Sequence, residues 1–127
     1  MKLWRARLFN MNDPEAVRLR HMLDAAEEAL SFLEGRTFED LHRDRMFLLA
    51  VVKEIEIIGE AATRISDESR KTLPQVPWPK IVAMRNRLIH AYADVDRSLV
   101  WDTLTDALPE LVRELEKVLP DRIKPLP

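Results

Sequence analysis

Apolar side chains recur every three or four positions along much of the chain, the period of α-helices that bury one face. A first segment predicts a helix over 14–33, and its seam is formed by Leu19, Leu23, Ala26, Leu30 and Leu33. A second segment, over 38–65, is apolar on most sides of its middle, so we expect neighbouring helices to cover several of its faces. A last segment, over 96–119, lines one face with Val100, Leu104, Leu108, Leu111, Leu115 and Val118.

Polar and conformationally special residues mark the ends of the first two helices. Asp13 followed by Pro14 is typical of a helix start, because the side chain caps the first turn and proline fits its first position. Gly35 is typical of a helix end. Thr37 and Asp40 then resemble a capping box, which indicates where the second helix begins.

Further breaks follow downstream. Ser66 is expected to cap a short helix over 67–72. Prolines separate it from a third main helix over 79–92, and Pro109 is expected to kink or split the final helix. With two glycines, abundant helix formers and no hairpin turn signal, the chain is predicted to be an all-α, up-and-down antiparallel bundle of four to five helices.

The length of 127 residues predicts one domain. We assign the bundle to 14–120 and a C-terminal tail to 121–127. Residues 1–13 are interpreted as an N-terminal extension, either non-native or poorly ordered.

Composition narrows the classes of function. The chain has no cysteine and three widely spaced histidines, so a metal site is not expected, and no cofactor is predicted. A formal net charge of −2 argues against a general nucleic-acid binder, so any RNA contact must come from a local patch. Neither a membrane span nor a secretory signal is evident, and we predict a cytoplasmic protein.

The richest chemistry lies in the third main helix, between Arg85 and Tyr92. On a helical wheel Arg85 falls within the apolar arc, so it needs a carboxylate or a wet cleft, and Glu60 and Glu56 are the candidates. His90 lies about 140° from Arg85. For both to serve one phosphate, either the helix ends near His90 or two copies of the chain combine their motifs, and we favour the dimer.

These residues also fit ordinary structural roles. Arg85 is equally compatible with a core ion pair, and His90 with a cation at a helix C-terminus. Tyr92 fits a core aromatic residue and Asn86 a local hydrogen bond. Spacing alone therefore does not identify an enzyme.

The wider context of the motif resembles the HepT-like proteins of the HEPN superfamily, and the similarity runs over about residues 14–119. The residues that carry it are Ile58-Gly59-Glu60-Ala61-Ala62, Ser66, Val76-Pro77-Trp78, the run from Met84 to Tyr92 that contains Arg-x4-His-x-Tyr, and Leu108-Pro109. Ala91 departs slightly, since bulkier residues or glycine also occur there. The N-terminal segment is an addition to the pattern.

The resemblance implies an all-helical homodimer that acts as a metal-independent endoribonuclease and as the toxin of a toxin–antitoxin pair. The antitoxin would be a small, MntA-like minimal nucleotidyltransferase that attaches AMP to the motif tyrosine. Carried over to this chain, Arg85 and His90 are catalytic, Asn86 supports the site, and Tyr92 is the modification target.

Two further expectations complete the site. Glu60 is expected to orient Arg85, and RNA is expected to contact a basic rim made of Lys80, Arg87, Arg64, Arg70 and Lys71, although a solvated helix surface accounts for each of them as well. The alternative function is a non-catalytic helical partner, or a nucleotide-binding scaffold, of the nucleotidyltransferase.

Overall fold

A computed structural model describes residues 13–90 and 94–119, with the backbone alone at positions 89 and 90. Every regular element in these ranges is helical, which confirms the all-α prediction. The elements are α1 (Pro14–Leu33), α2 (Asp40–Arg43), α3 (Arg45–Thr63), α4 (Asp67–Thr72), α5 (Trp78–His90), α6 (Arg97–Asp102), a π-helical segment (Thr103–Ala107) and α7 (Leu108–Glu116). The predicted tail and all but the last residue of the predicted N-terminal extension lie outside the described residues.

Helix α1 has the predicted bounds. The Asp13 carboxylate accepts a hydrogen bond of 2.9 Å from the backbone N–H of Glu15, and Pro14 occupies the first turn. Beyond the other end, Gly35 has φ +72°, a conformation that glycine adopts without the strain a side chain brings. Local chemistry therefore sets both ends of α1.

The predicted continuous helix over 38–65 is wrong, because the structure divides it at Asp44. This residue has φ −118° and ψ 98°, outside the helical region, and its carboxylate accepts from the backbone N–H of Phe47 at 3.1 Å. Asp44 also pairs with Arg36 at 3.0 Å. An N-cap at this position ends α2 and starts α3.

Helix α4 has the predicted bounds, and Ser66 caps it by accepting from the backbone N–H of Ser69 at 3.2 Å. The Ser66 hydroxyl also donates to the carboxylate of Glu15 at 3.0 Å, and the Ser69 hydroxyl donates to it at 2.6 Å. The Glu15 carboxylate thus links the start of α1 to the turn that follows α3. Because the start of one long helix lies beside the end of the other, the two run antiparallel.

The final helical region is interrupted before Pro109, as predicted. The backbone N–H of Leu108 donates to the carbonyl of Thr103, five residues back, so the turn between them is wider than an α-helical turn. Proline has no N–H and crowds the preceding turn. The wider turn accommodates Pro109 near the start of α7.

The core forms where α1 packs against α3 and α7, and where α3 packs against α5. All six apolar residues predicted for the final helical region are buried, as are Leu19, Leu23 and Ala26 of α1. Neighbouring helices cover several faces of α3, as expected, while Met46 and Leu49 stay 82% and 50% exposed. Among the described residues, no helix is long and apolar enough to cross a membrane.

Candidate functional site

Helices α3 and α5 are in close contact where Gly59 faces Arg85. A Cβ atom built on Gly59 would lie 2.2 Å from the Cβ of Arg85 and 2.6 Å from its Cγ. Non-bonded carbon atoms prefer a separation of about 3.5–4.0 Å, so only glycine permits this approach. The missing side chain brings the stem of Arg85 directly against the backbone of α3.

The guanidinium of Arg85 is held on two sides. Its Nη2 donates to Oε2 of Glu60 at 2.6 Å, and its Nη1 donates to Oδ1 of Asn86 at 2.9 Å. The prediction of a carboxylate partner is confirmed for Glu60. Because an arginine carries more N–H donors than these two contacts use, the fixed guanidinium can still bind an oxyanion.

The Glu60 carboxylate contacts a second cation as well. Its Oε1 lies 3.4 Å from Nη2 of Arg64, one helical turn further along α3. The side chain of Arg64 is 62% exposed, whereas that of Arg85 is 28% exposed. The pair with Arg64 is therefore the weaker one, since exposed ion pairs of this kind contribute less than about 1 kcal/mol.

The side chain of Arg85 lines a cavity of about 350 Å³ between α1, α3 and α5. The cavity is lined by Arg18, His21, Lys53, Glu56, Ile57, Glu60, Ala61, Arg64 and Arg85. Glu56, the other predicted partner of Arg85, lines this cavity without an ion pair to it among the described residues. The cavity thus combines a fixed guanidinium with further basic side chains, an arrangement that can bind a phosphate group.

The remaining motif residues are placed only in part. The helical backbone of α5 includes position 90, so the positions of Arg85 and His90 differ by about 140° around the axis. The His90 side chain, Ala91 and Tyr92 lie outside the described residues. Ala83, Asn86 and Arg87 are exposed on α5.

The structure separates two of the predicted RNA contacts from Arg85. Lys80 and Arg87 line a different cavity, of about 640 Å³, between α5 and the final helical region. Its other wall carries Asp102, Asp106 and Glu110. Arg87 also lies 3.7 Å from the carboxylate of Asp96.

A buried carboxyl group lies next to the Arg85 cavity. Burial raises the pKa of Glu54 to about 7, and the nearby carboxylate of Glu28 adds to the shift. The two glutamates line a smaller cavity of about 220 Å³, which shares His21 and Ile57 with the larger one. Within the described part of the chain, no group of three or more His, Cys, Asp or Glu residues is arranged to hold a metal ion.

Sequence reasoning did not identify Arg18, His21 and Lys53 as site residues. Lys53 could have been found from its spacing, because it precedes Glu60 by two helical turns and so shares its face. Arg18 and His21 carry no such signal. Their place at the site depends on how α1 packs against α3.

Comparison with known proteins adds an independent line of evidence. The family model described as "Ribonuclease HepT-like" matches residues 22–118. A protein of Caldanaerobacter subterraneus named "Putative RNase TTE0752" is 36% identical over 101 residues, covering 80% of this chain and 90% of that protein. "Probable ribonuclease HepT" of Thermococcus cleftensis is 36% identical over 100 residues, covering 76% of this chain and 91% of that protein. No solved structure matches the chain.

Proposed function

The chain belongs to the HepT-like ribonuclease family, and on that premise we propose that it is an endoribonuclease in which Arg85 and His90 act on the RNA backbone. The observation that carries the proposal is the placement of Arg85 on a cavity wall, fixed by Glu60 and Asn86. A fixed cation of this kind stabilises the charge that develops on a phosphodiester during cleavage.

The chemistry follows from the substrate. RNA carries its own nucleophile, the 2′-hydroxyl group. Neutral His90 accepts the proton of this hydroxyl while the hydroxyl oxygen attacks the adjacent phosphorus. Arg85 stabilises the pentacovalent centre. The P–O5′ bond then breaks, a protonated group donates a proton to the leaving oxygen, and the product keeps a 2′,3′-cyclic phosphate. No step in this scheme needs a metal ion.

We further propose that two protomers form the active site. The offset of about 140° between positions 85 and 90 makes it difficult for one straight helix to direct both side chains at one phosphate. In a two-fold dimer, the arginine of one protomer approaches the histidine of its partner. The exposed Ala83 on α5 is small enough to let two such helices come close.

The proposal includes the biological setting that the family resemblance implies. The protein acts as a toxin, and an MntA-like nucleotidyltransferase neutralises it by adding AMP to Tyr92. An AMP group would place bulk and negative charge two residues after His90, where it would compete with an RNA phosphate. Tyr92→Phe should therefore stay toxic and resist neutralisation. Full neutralisation of this variant would show that binding alone is the antidote.

Cleavage by the purified protein tests the enzymatic part of the proposal. Total RNA or tRNA is incubated with wild type, Arg85→Ala, His90→Ala and Arg113→Ala, with and without EDTA. Arg113 is an exposed residue of α7 that pairs with Glu110, so its variant is the matched control. We expect wild type and Arg113→Ala to cleave with or without EDTA, and both motif variants to be folded dimers that do not cleave.

The other outcomes contradict specific parts of the proposal. Cleavage by Arg85→Ala or His90→Ala at the wild-type rate would exclude the assigned roles. Loss of cleavage in EDTA would exclude the metal-free chemistry. Binding of the nucleotidyltransferase without cleavage of any RNA would favour the alternative, a non-catalytic partner of that enzyme.

A further inference from the structure

The cavity beside Arg85 is a groove that runs along α3. Its lining residues occupy positions 53, 56, 57, 60 and 61 of this helix and position 64 at its C-cap, a spacing that puts them on one face. At a rise of 1.5 Å per residue, this face is about 16 Å long. Arg18 and His21, on neighbouring turns of α1, line the groove as well. The site thus extends well beyond the space that one phosphate group needs.

The groove carries a positive charge that the chain as a whole lacks. Among the described residues, four cationic and two acidic side chains line it, a formal excess of two positive charges, whereas the net charge of the whole chain is −2. One of the acidic side chains, Glu60, already pairs with Arg85 and Arg64. The local excess provides the kind of patch that a nucleic-acid contact requires.

Two of the cations are available to an anion. Lys53 is exposed and forms no ion pair or hydrogen bond with any residue in the described ranges. Arg18 uses one donor, Nη1, on the backbone carbonyl of Arg64 at 3.3 Å, which fixes its direction along the groove. Ile57, 37% exposed, lies between the charged residues on the wall of the groove.

The structure also shows where the positive region ends. Beyond His21 and Ile57 the neighbouring cavity is lined by Asp24, Glu28 and Glu54. The carboxylates of Asp24 and Glu28 would repel a polyanion there, so its path is confined to the stretch between Arg18 and Lys53. The cavity that contains Lys80 and Arg87 is less suitable, because three carboxylates line it.

We propose that this groove is a further phosphate-binding subsite for single-stranded RNA, in which Lys53 and Arg18 bind the backbone phosphates on either side of the one that Arg85 holds. That the ligand is RNA depends on the proposed ribonuclease function. Residues outside the motif would then make binding depend on the length of the RNA. RNA that extends along α3 gains the additional contact. RNA that ends at the scissile phosphate does not.

Salt-dependent binding tests the subsite independently of cleavage. A 2′-O-methyl RNA oligonucleotide lacks the nucleophile and cannot be cleaved by this chemistry, so its affinity is measured by fluorescence anisotropy over a range of salt concentrations. Each phosphate contact with a single strand contributes about 0.7 to the slope of log affinity against log salt. We expect Lys53→Ala to reduce the slope by about this amount, and Lys53→Arg to restore it.

Control variants distinguish a contact in this groove from a general loss of surface charge or of folding. Arg113→Ala should keep the wild-type slope, and thermal melting should show that Lys53→Ala is folded, since Lys53 is an exposed residue. Arg18→Ala should reduce the slope as Lys53→Ala does. A wild-type slope in both variants would overturn the subsite even if the protein cleaves RNA. A reduced slope in a protein that cleaves no RNA would support the subsite and contradict the proposed ribonuclease function.

Discussion

Replacing Gly59 with alanine tests the claim that a close approach of two helices places Arg85. The new Cβ would lie 2.2 Å from the Cβ of Arg85, whereas such atoms prefer about 3.5–4.0 Å. The helices must therefore separate by about 1 Å or more at this point. Arg85 has no room to rotate away, because the clash involves its Cβ and Cγ rather than the far end of its side chain.

The expected effect on stability is small compared with the effect on activity. Inserting a methyl group into a packed contact costs about 1–3 kcal/mol, but alanine is favoured over glycine inside a helix by about 1 kcal/mol. The net loss in the free energy of unfolding is thus about 0–2 kcal/mol. A shift of about 1 Å in a catalytic group can reduce the rate about a hundredfold, so Gly59→Ala should remain folded and lose most of its activity.

The assay compares Gly59→Ala with Gly35→Ala, the substitution of the other glycine. At Gly35 the positive φ strains an alanine, while no atom lies within 4 Å of the new Cβ. We expect Gly35→Ala to lose about 1 kcal/mol of stability by denaturant unfolding and to cleave RNA at the wild-type rate. Wild-type cleavage by a folded Gly59→Ala would refute the argument that this contact positions Arg85.

Three further predictions follow from the described contacts. Glu60→Ala should reduce the rate of cleavage about tenfold or more by releasing Arg85. Glu60→Gln keeps a hydrogen-bond acceptor and should recover most of the rate. The stability of either variant should change by less than about 1 kcal/mol. Ser66→Ala should lower the free energy of unfolding by about 1 kcal/mol in thermal or urea melts, without a change in cleavage. Stability should fall as pH rises from about 5 to 7, at most by about 1.4 kcal/mol per pH unit, because Glu54 holds its proton in the folded state at a pH where the unfolded chain has released it; Glu54→Gln should remove this slope.

Each of these predictions has a contradicting result. Equal rates in Glu60→Ala and wild type would mean that Arg85 needs no carboxylate to hold it. An unchanged melting curve for Ser66→Ala would mean that the cap and the contact with Glu15 contribute nothing to stability. A pH slope that persists in Glu54→Gln would have to originate in another group.

Local chemistry determines which parts of the fold were predictable. The ends of α1 and α4 depend on neighbours in sequence, Asp13, Gly35 and Ser66, and all were predicted. The division at Asp44 was missed because the apolar pattern continues through it, and a cap takes effect only when the chain can turn there. The predicted face of the final helical region is buried at every position.

The site was less predictable, because it depends on pairs of helices. The role of Gly59 depends on Arg85 lying opposite it in the fold. In the sequence, a glycine within a helix is equally compatible with a less stable helix and with a close helix–helix contact. The pairing of Arg85 with Glu60 was predictable because a cation within the apolar arc of a helix needs a carboxylate partner or water. The contribution of α1 to the groove was not, since it depends on how that helix is rotated against α3.

The π-helical segment determines where a deletion of one residue would preserve the register of the final helices. Val100, Leu104 and Leu108 follow one another at intervals of four, and in an α-helix two such steps would drift about 80° around the axis. The wide turn between Thr103 and Leu108 takes up an extra residue. A deletion of one residue at this turn would therefore keep the register of the flanking helices but crowd Pro109 against an ordinary helical turn, whereas the same deletion inside α7 would rotate its apolar face away from α1.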